Sequence, residues 1–329
     1  MDLTFLIGVM PILLATGSPS FRLPEGVFPE QTQVIFEAHV LSVLPTAWKP
    51  DGDARESRSV TVDFEVSRLL MDRTGKLPPS GRARCDVSQF RWQSEATWKV
   101  QGFWSYREIR PDLQVVVFSR AGSTVSYASA FAEPLAAVDV AGEVTLPSQI
   151  DFVVQGAKLG WEDQARRLLA QASSERAVGT VLARYLVSLA AQTTGRARQQ
   201  LVDSIAGLAG GRLSAEGRGE LLNSLQERLA LEEKPPPDLL HAFEAACLRV
   251  LASSETGGAA SVSPTLESIA QVYLPWLSKS LPDWKTAPRS ALSAAERTKA
   301  AEALRWLAGL TRFPERKKEV LRQLAGSLG

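Results

Sequence analysis

The sequence predicts a β module followed by an α-helical module. Apolar residues alternate with a period of two up to about residue 150 and recur every three to four positions after it. The first half is broken by Gly/Pro-marked loops, whereas the second carries Ser/Pro helix starts. A chain of 329 residues also suits two domains better than one, each long enough to bury its own core. The expected division is a signal peptide over 1–17, a β-barrel or sandwich domain over 18–150 and an α-helical domain over 151–329.

Leu3 to Ala15 is apolar apart from Thr4, and Ala15-Thr16-Gly17 puts small residues where a signal peptidase cuts. The stretch falls short of the ~20 residues that a transmembrane helix needs. It reads as a leader, which would make the protein secreted or periplasmic with no membrane span in the mature chain. Met1-Asp2 lacks the usual Lys or Arg. A buried first strand or helix of a cytoplasmic protein is therefore the alternative.

In the β half, Val34, Phe36, Ala38 and Val40 alternate with Ile35, Glu37, His39 and Leu41, and Val60, Val62, Phe64 and Val66 alternate with Thr61, Asp63, Glu65 and Ser67. Residues 45–59 between them form a charged loop. A further turn at 74–81 leads into a strand from Arg82 to Phe90. Leu113 to Ser119 is apolar on both faces, as a central strand would be. Further strands are expected around Val125 to Phe131 and over Val138 to Leu146. Five or more short strands with long loops predict a small barrel or sandwich.

Phe90, Trp92, Trp98, Val100, Trp104 and Tyr106 all fall on even positions, with mostly polar residues between them. A hairpin would bring them to one face. Trp92, Trp98, Trp104 and Tyr106 are thus a candidate binding surface for a peptide, sugar or partner protein. The same parity also suits a packed barrel core, and the consistently polar opposite positions favour that second reading.

The stretches VIFEAHVLSV (34–43), VTVDFEVSRLLMDRTG (60–75) and LQVVVF (113–118) resemble the netrin-like, TIMP-like group of OB-fold modules. In that group a first strand of this type precedes a V-x-F-x-V strand and a late apolar strand. The resemblance implies a secreted protein-binding module, some members of which inhibit metalloproteases. Inhibition there uses an N-terminal cysteine that chelates the catalytic zinc. No cysteine precedes Cys85 here, so that activity is not implied.

In the helical half, stripes at helical spacing begin at Trp161, Val178, Leu201, Leu221, Leu239, Leu266, Ala303 and Leu321. Pro275 should kink the sixth. Ser293-Ala294-Ala295-Glu296 spells a capping box, and Ser263-Pro264 fits an N-cap followed by N1. Seven or eight helices with short connections predict a HEAT-like solenoid or an irregular bundle. No residue signature repeats to decide between them.

Chemistry is sparse. The chain has no HExxH, GxSxG or Walker loop and no GxGxxG after a strand. Only two cysteines, Cys85 and Cys247, are present, which excludes a disulfide scaffold and a cysteine zinc site. Cys247 falls on an apolar helix face and reads as a small buried hydrophobe. His39 sits on a strand, and His241 sits three residues before Glu244 on a helix. That pair reads as a surface hydrogen bond rather than a metal site. Asp51 and Asp53 lack the further oxygen ligands that calcium requires. No catalytic residue, metal or cofactor is expected.

Lys plus Arg number 37 and Asp plus Glu 36, so no global field attracts nucleic acid. The expected function is non-catalytic recognition of another protein by an exported chain. An intracellular scaffold of the same architecture, or a hydrolase with dispersed carboxylates, are the alternatives.

Overall fold

The computed structural model describes residues 22–28, 32–51, 55–75, 77–92, 110–119, 134–139, 145–173, 179–211, 213, 215–254, 262–281, 284, 291–310 and 313–328. An antiparallel sheet comes first and helices follow. The strands are β1 (Val34–Pro45), β2 (Lys49–Pro50), β3 (Arg55–Asp72), β4 (Gly81–Trp92), β5 (Gln114–Ser119) and β6 (Pro134–Asp139). β3 pairs with β1, β2 and β4, while β1 also pairs with β5, and β5 with β6. The expected strand around 125–131 lies outside the described residues.

The alternation read in the sequence sorts side chains onto two faces. Val34, Phe36, Ala38, Val40, Val60, Val62, Phe64 and Val66 join Ala83, Val115 and Val117 in one apolar cluster. The other face meets the helices near one end of the sheet: Ile35, Leu70, Met71, Val116 and Phe118 belong to the same buried cluster as the helical leucines. β5 is buried on both sides, as its continuous apolar run requires. Consecutive Leu70 and Met71 both enter the helix-side cluster because the β1–β3 register shifts between Ile35 and Phe36. The extra residue turns two neighbours toward one face.

The helices are α1 (Leu146–Gly156), α2 (Trp161–Ser173), α3 (Thr180–Gln192), α4 (Gly195–Ala209), α5 (Ala215–Ala230) and α6 (Pro237–Ser253). They continue with α7 (Pro264–Ser268), a π-helical turn (Ile269–Tyr273), α8 (Leu274–Ser280), α9 (Ala294–Gly309) and α10 (Glu315–Leu328). Alternate helices touch: α1 packs on α3 and α3 on α5, while α2 packs on α4 and α4 on α6. The array thus has two layers. α6 in turn supports α9, and α9 supports α10.

Leu146 begins α1 rather than ending a strand. Pro147 occupies the first turn, where its missing N–H costs nothing. Leu146, Ile150 and Val153, at i, i+4 and i+7, point one buried stripe at the sheet. Residue 150 therefore falls inside a helix. Val27 and Phe28 of the N-terminal segment enter the shared cluster too, and the Phe28 ring lies 5.7 Å from that of Phe118.

The anticipated break near Pro275 takes the form of the π turn just before it. Pro275 has no N–H to donate, and the wider register absorbs the loss. The capping box forms as spelled: Ser293 Oγ accepts the Glu296 N–H at 3.2 Å, and Glu296 Oε2 accepts the Ser293 N–H at 2.7 Å. Cys247 is free and fully buried, and burial pushes its thiol up. Among the described residues, no helix is long and apolar enough to cross a membrane.

Candidate functional site

A groove of about 480 Å³ opens between α4 and α6, neighbours in one layer of the array. From α4 it takes Gln199, Val202, Asp203 and Ala206, spaced i, i+3, i+4 and i+7 along one face. From α6 it takes Asp238, His241, Ala242, Ala245 and Leu248, again a single stripe, with Glu244 beside it. Ala291 and Leu292, just before α9, close one end. The groove exists because its floor is built from alanines. Ala206, Ala242 and Ala245 are too short to fill the space between two helix axes.

Its polar groups are held in place. Arg198 on α4 grips Asp238 on α6 with two parallel hydrogen bonds of 2.9 and 3.0 Å. Asp238 also accepts the Leu239 N–H at 3.0 Å, and the Arg198 guanidinium holds its carboxyl below the ordinary range. Asp203 Oδ1 accepts from the Gln199 side-chain amide at 2.8 Å. Arg249 crosses to the far end, donating to the Ala291 carbonyl at 2.6 Å and standing 3.5 Å from Glu296. Its stem lies against Gly210, where a methyl group would come within 3.4 Å of Cδ.

His241 and Glu244 both line this groove, and Glu244 is only 4% exposed, so the pair is not the surface feature its spacing suggests. Among the described residues, no group of three or more His, Cys, Asp or Glu is placed to hold a metal ion. His39 is exposed on β1, 3.7 Å from Asp112, well away from His241 in the sequence and on another element.

A second cavity, of about 440 Å³, lies at the seam of the N-terminal segment, α3 and α5. Arg184 dominates it. Its Nη1 donates to the Gly26 carbonyl at 2.9 Å, its Nε to Glu220 and its Nη2 to Glu227 at 2.9 Å. Gly26 adopts φ +79°, a left-handed conformation that favours glycine. Burial pushes the Glu220 carboxyl up, against the pull of Arg184 and Ser224. Glu220 and Glu227 are thus engaged by one guanidinium that ties the N-terminal segment to the helices.

Of the aromatic candidates, Trp92 ends β4, while Trp98, Trp104 and Tyr106 lie outside the described residues. In the β3–β4 register Phe90 and Trp92 stand opposite Ser57 and Arg55. These positions are in step with Thr61, Asp63 and Glu65, not with the core residues Val60, Val62 and Phe64. Asp51 lies just beyond β2, and Asp53 is outside the described residues.

No family model matches this chain, nor does any curated protein or solved structure. The site rests on its own geometry.

Sequence reasoning missed the α4–α6 groove. The stripe it followed on α6, Leu239, Leu240, Phe243, Cys247, Val250 and Leu251, is the buried face. The signal that would have found the groove is the adjacent stripe of small residues, Ala242 and Ala245, matched by Ala206 on α4.

Proposed function

We propose that this chain is a non-catalytic, exported protein-binding protein whose helical array and β module act as recognition surfaces. The observation that carries the reading is the α4–α6 groove, concave and apolar at its floor and framed by fixed polar groups. In this reading the two helical layers form a HEAT-like solenoid, and grooves between helices of one layer are its binding faces. The sheet is a small OB-like barrel of the netrin-like kind. In support, β4 and β6 come within 8 Å of each other between Cα atoms. The Trp92, Trp98, Trp104 and Tyr106 segment would be a second contact surface.

Asp238, locked to Arg198, is held for structure rather than for proton donation. A general acid needs a carboxyl held up toward neutral pH, and Asp238 is held in the opposite direction. A cytoplasmic scaffold of the same architecture is distinguished by N-terminal sequencing of protein from the native host. A mature start near Ser18 supports export, and an intact Met1 supports the scaffold.

The binding reading is tested by a photocrosslinking residue at Gln199, on the exposed groove rim, with a second at Arg316 on α10 as control. In native-host extracts a discrete adduct from Gln199 alone is expected. Equal labelling from both positions, or none from Gln199, contradicts the assignment of the groove.

A further inference from the structure

Resting on the reading of the groove as a docking site, we propose that its occupant is a short protein segment with an apolar side chain beside a lysine or arginine. Charge complementarity carries this. The groove is lined by three carboxylates, Asp203, Asp238 and Glu244, and by one guanidinium, Arg249. Just outside, Arg198 and Glu296 pair with Asp238 and Arg249 and offset each other, and Arg297 donates to the Leu292 carbonyl at 2.9 Å, which leaves the acids an excess of one. The local field is therefore negative, and it opposes an acidic peptide or a nucleic acid.

The positions of the charges refine the assignment. Asp238 has both oxygens engaged by Arg198. Asp203 is exposed at the rim, with a hydrogen bond to the neutral Gln199 amide. It is the natural partner for an incoming cation. A Lys or Arg lays its methylene stem along apolar surface while its head stays near water. Val202, Ala206 and Ala245 line the same groove as Asp203 and supply that surface. The groove runs along α4 from residue 199 to 206, about 10 Å at ~1.5 Å per residue. That length accommodates about three residues of extended chain at ~3.3 Å each, enough for one cation and one or two apolar neighbours.

The test uses fluorescein-labelled peptides with one leucine-alanine frame and arginine, citrulline or glutamate at the centre, titrated against the full chain by anisotropy. Citrulline keeps the shape of arginine and removes its charge. The arginine peptide should bind, the citrulline peptide about tenfold more weakly, and the glutamate peptide not at all. The arginine advantage should shrink at high salt and vanish in Asp203→Lys.

Ala245→Leu narrows the floor, and Gln199→Trp blocks the groove from its exposed rim without touching the core. Either should weaken every peptide, with thermal melts confirming the fold. Equal binding of all three peptides, lost in the blocked variants, overturns the charge assignment and leaves the docking reading standing. Binding that ignores the blocked variants, or no binding of any peptide, overturns both.

Discussion

Gln149 of α1 caps a helix that is not its own. Its side-chain oxygen accepts the Val181 N–H at 3.0 Å and the Leu182 N–H at 3.2 Å, donors in the first turn of α3. The N-cap of α3 is Gly179, which has no side chain to offer. The Gln149 amide nitrogen in turn donates to Thr145 Oγ1 at 2.9 Å. Gln149→Leu leaves two buried N–H groups without this acceptor and is expected to cost about 1–3 kcal/mol. Gln149→Glu keeps the acceptor and places negative charge at a helix N-terminus, so it should melt between the parent and Gln149→Leu.

Arg184 is 11% exposed and Glu220 is 4% exposed. Removing the guanidinium by Arg184→Met strands a buried carboxylate, and a loss of about 3–5 kcal/mol is expected. Burial raises the folded pKa of Glu220 above its ordinary value. Its contribution to stability is then present below the ordinary carboxylate range and is lost as pH rises through the folded value. Arg184→Met should therefore lie closer to the parent in acid than at neutral pH. A deficit that does not change with pH would contradict the role given to Glu220.

The capping box carries the opposite sign. The Ser293 N–H holds the Glu296 carboxyl below its ordinary value. Asp238 is likewise held down by Arg198. Both contribute stability above the ordinary carboxylate range, and both lose it as pH falls through their depressed values. Ser293→Ala should cost about 1 kcal/mol at neutral pH, and a urea titration of that variant beside the parent at neutral and acid pH measures it.

Trp92 gives the β half its sharpest test. Its register partner Arg55 is out of step with the core valines of β3. A Trp92→Ala variant that stays within about 0.5 kcal/mol of the parent, as a surface change does, would support the binding-surface reading. A loss of about 3–5 kcal/mol would support the packed-core reading. The same melts on Trp98→Ala and Trp104→Ala show whether those residues share the behaviour of Trp92.

Much of this was legible because it is local. Alternation exposes β1 and β3, since Val34 to Val40 and Val60 to Val66 each carry a period of two in a few residues, and a continuous apolar run exposes β5. The stripes of α2 to α6 and the box at Ser293 are equally local. α1 was not legible, because Val153 and Val154 suit strands and the proline that marks its start sits against the strand-like run from Val138. The groove was hidden for a different reason. Alanine contributes little to an apolar periodicity, and the groove is completed by residues of α4 and by Leu292, both distant in sequence from α6.

The structural claim that joins the two halves is that one buried cluster links Ile35, Met71, Val116 and Phe118 of the sheet to Leu146, Ile150 and the helices beyond. A fragment spanning 151–329 would lose Leu146 and Ile150 and uncover the rest of that face. Scanning calorimetry of the full chain beside this fragment tests the claim most directly. The account predicts a single cooperative transition for the full chain and a lower, broader melt, or none, for the fragment. Two separate transitions in the full chain, with the fragment reproducing one of them, would show that sheet and helices are independent and would contradict it.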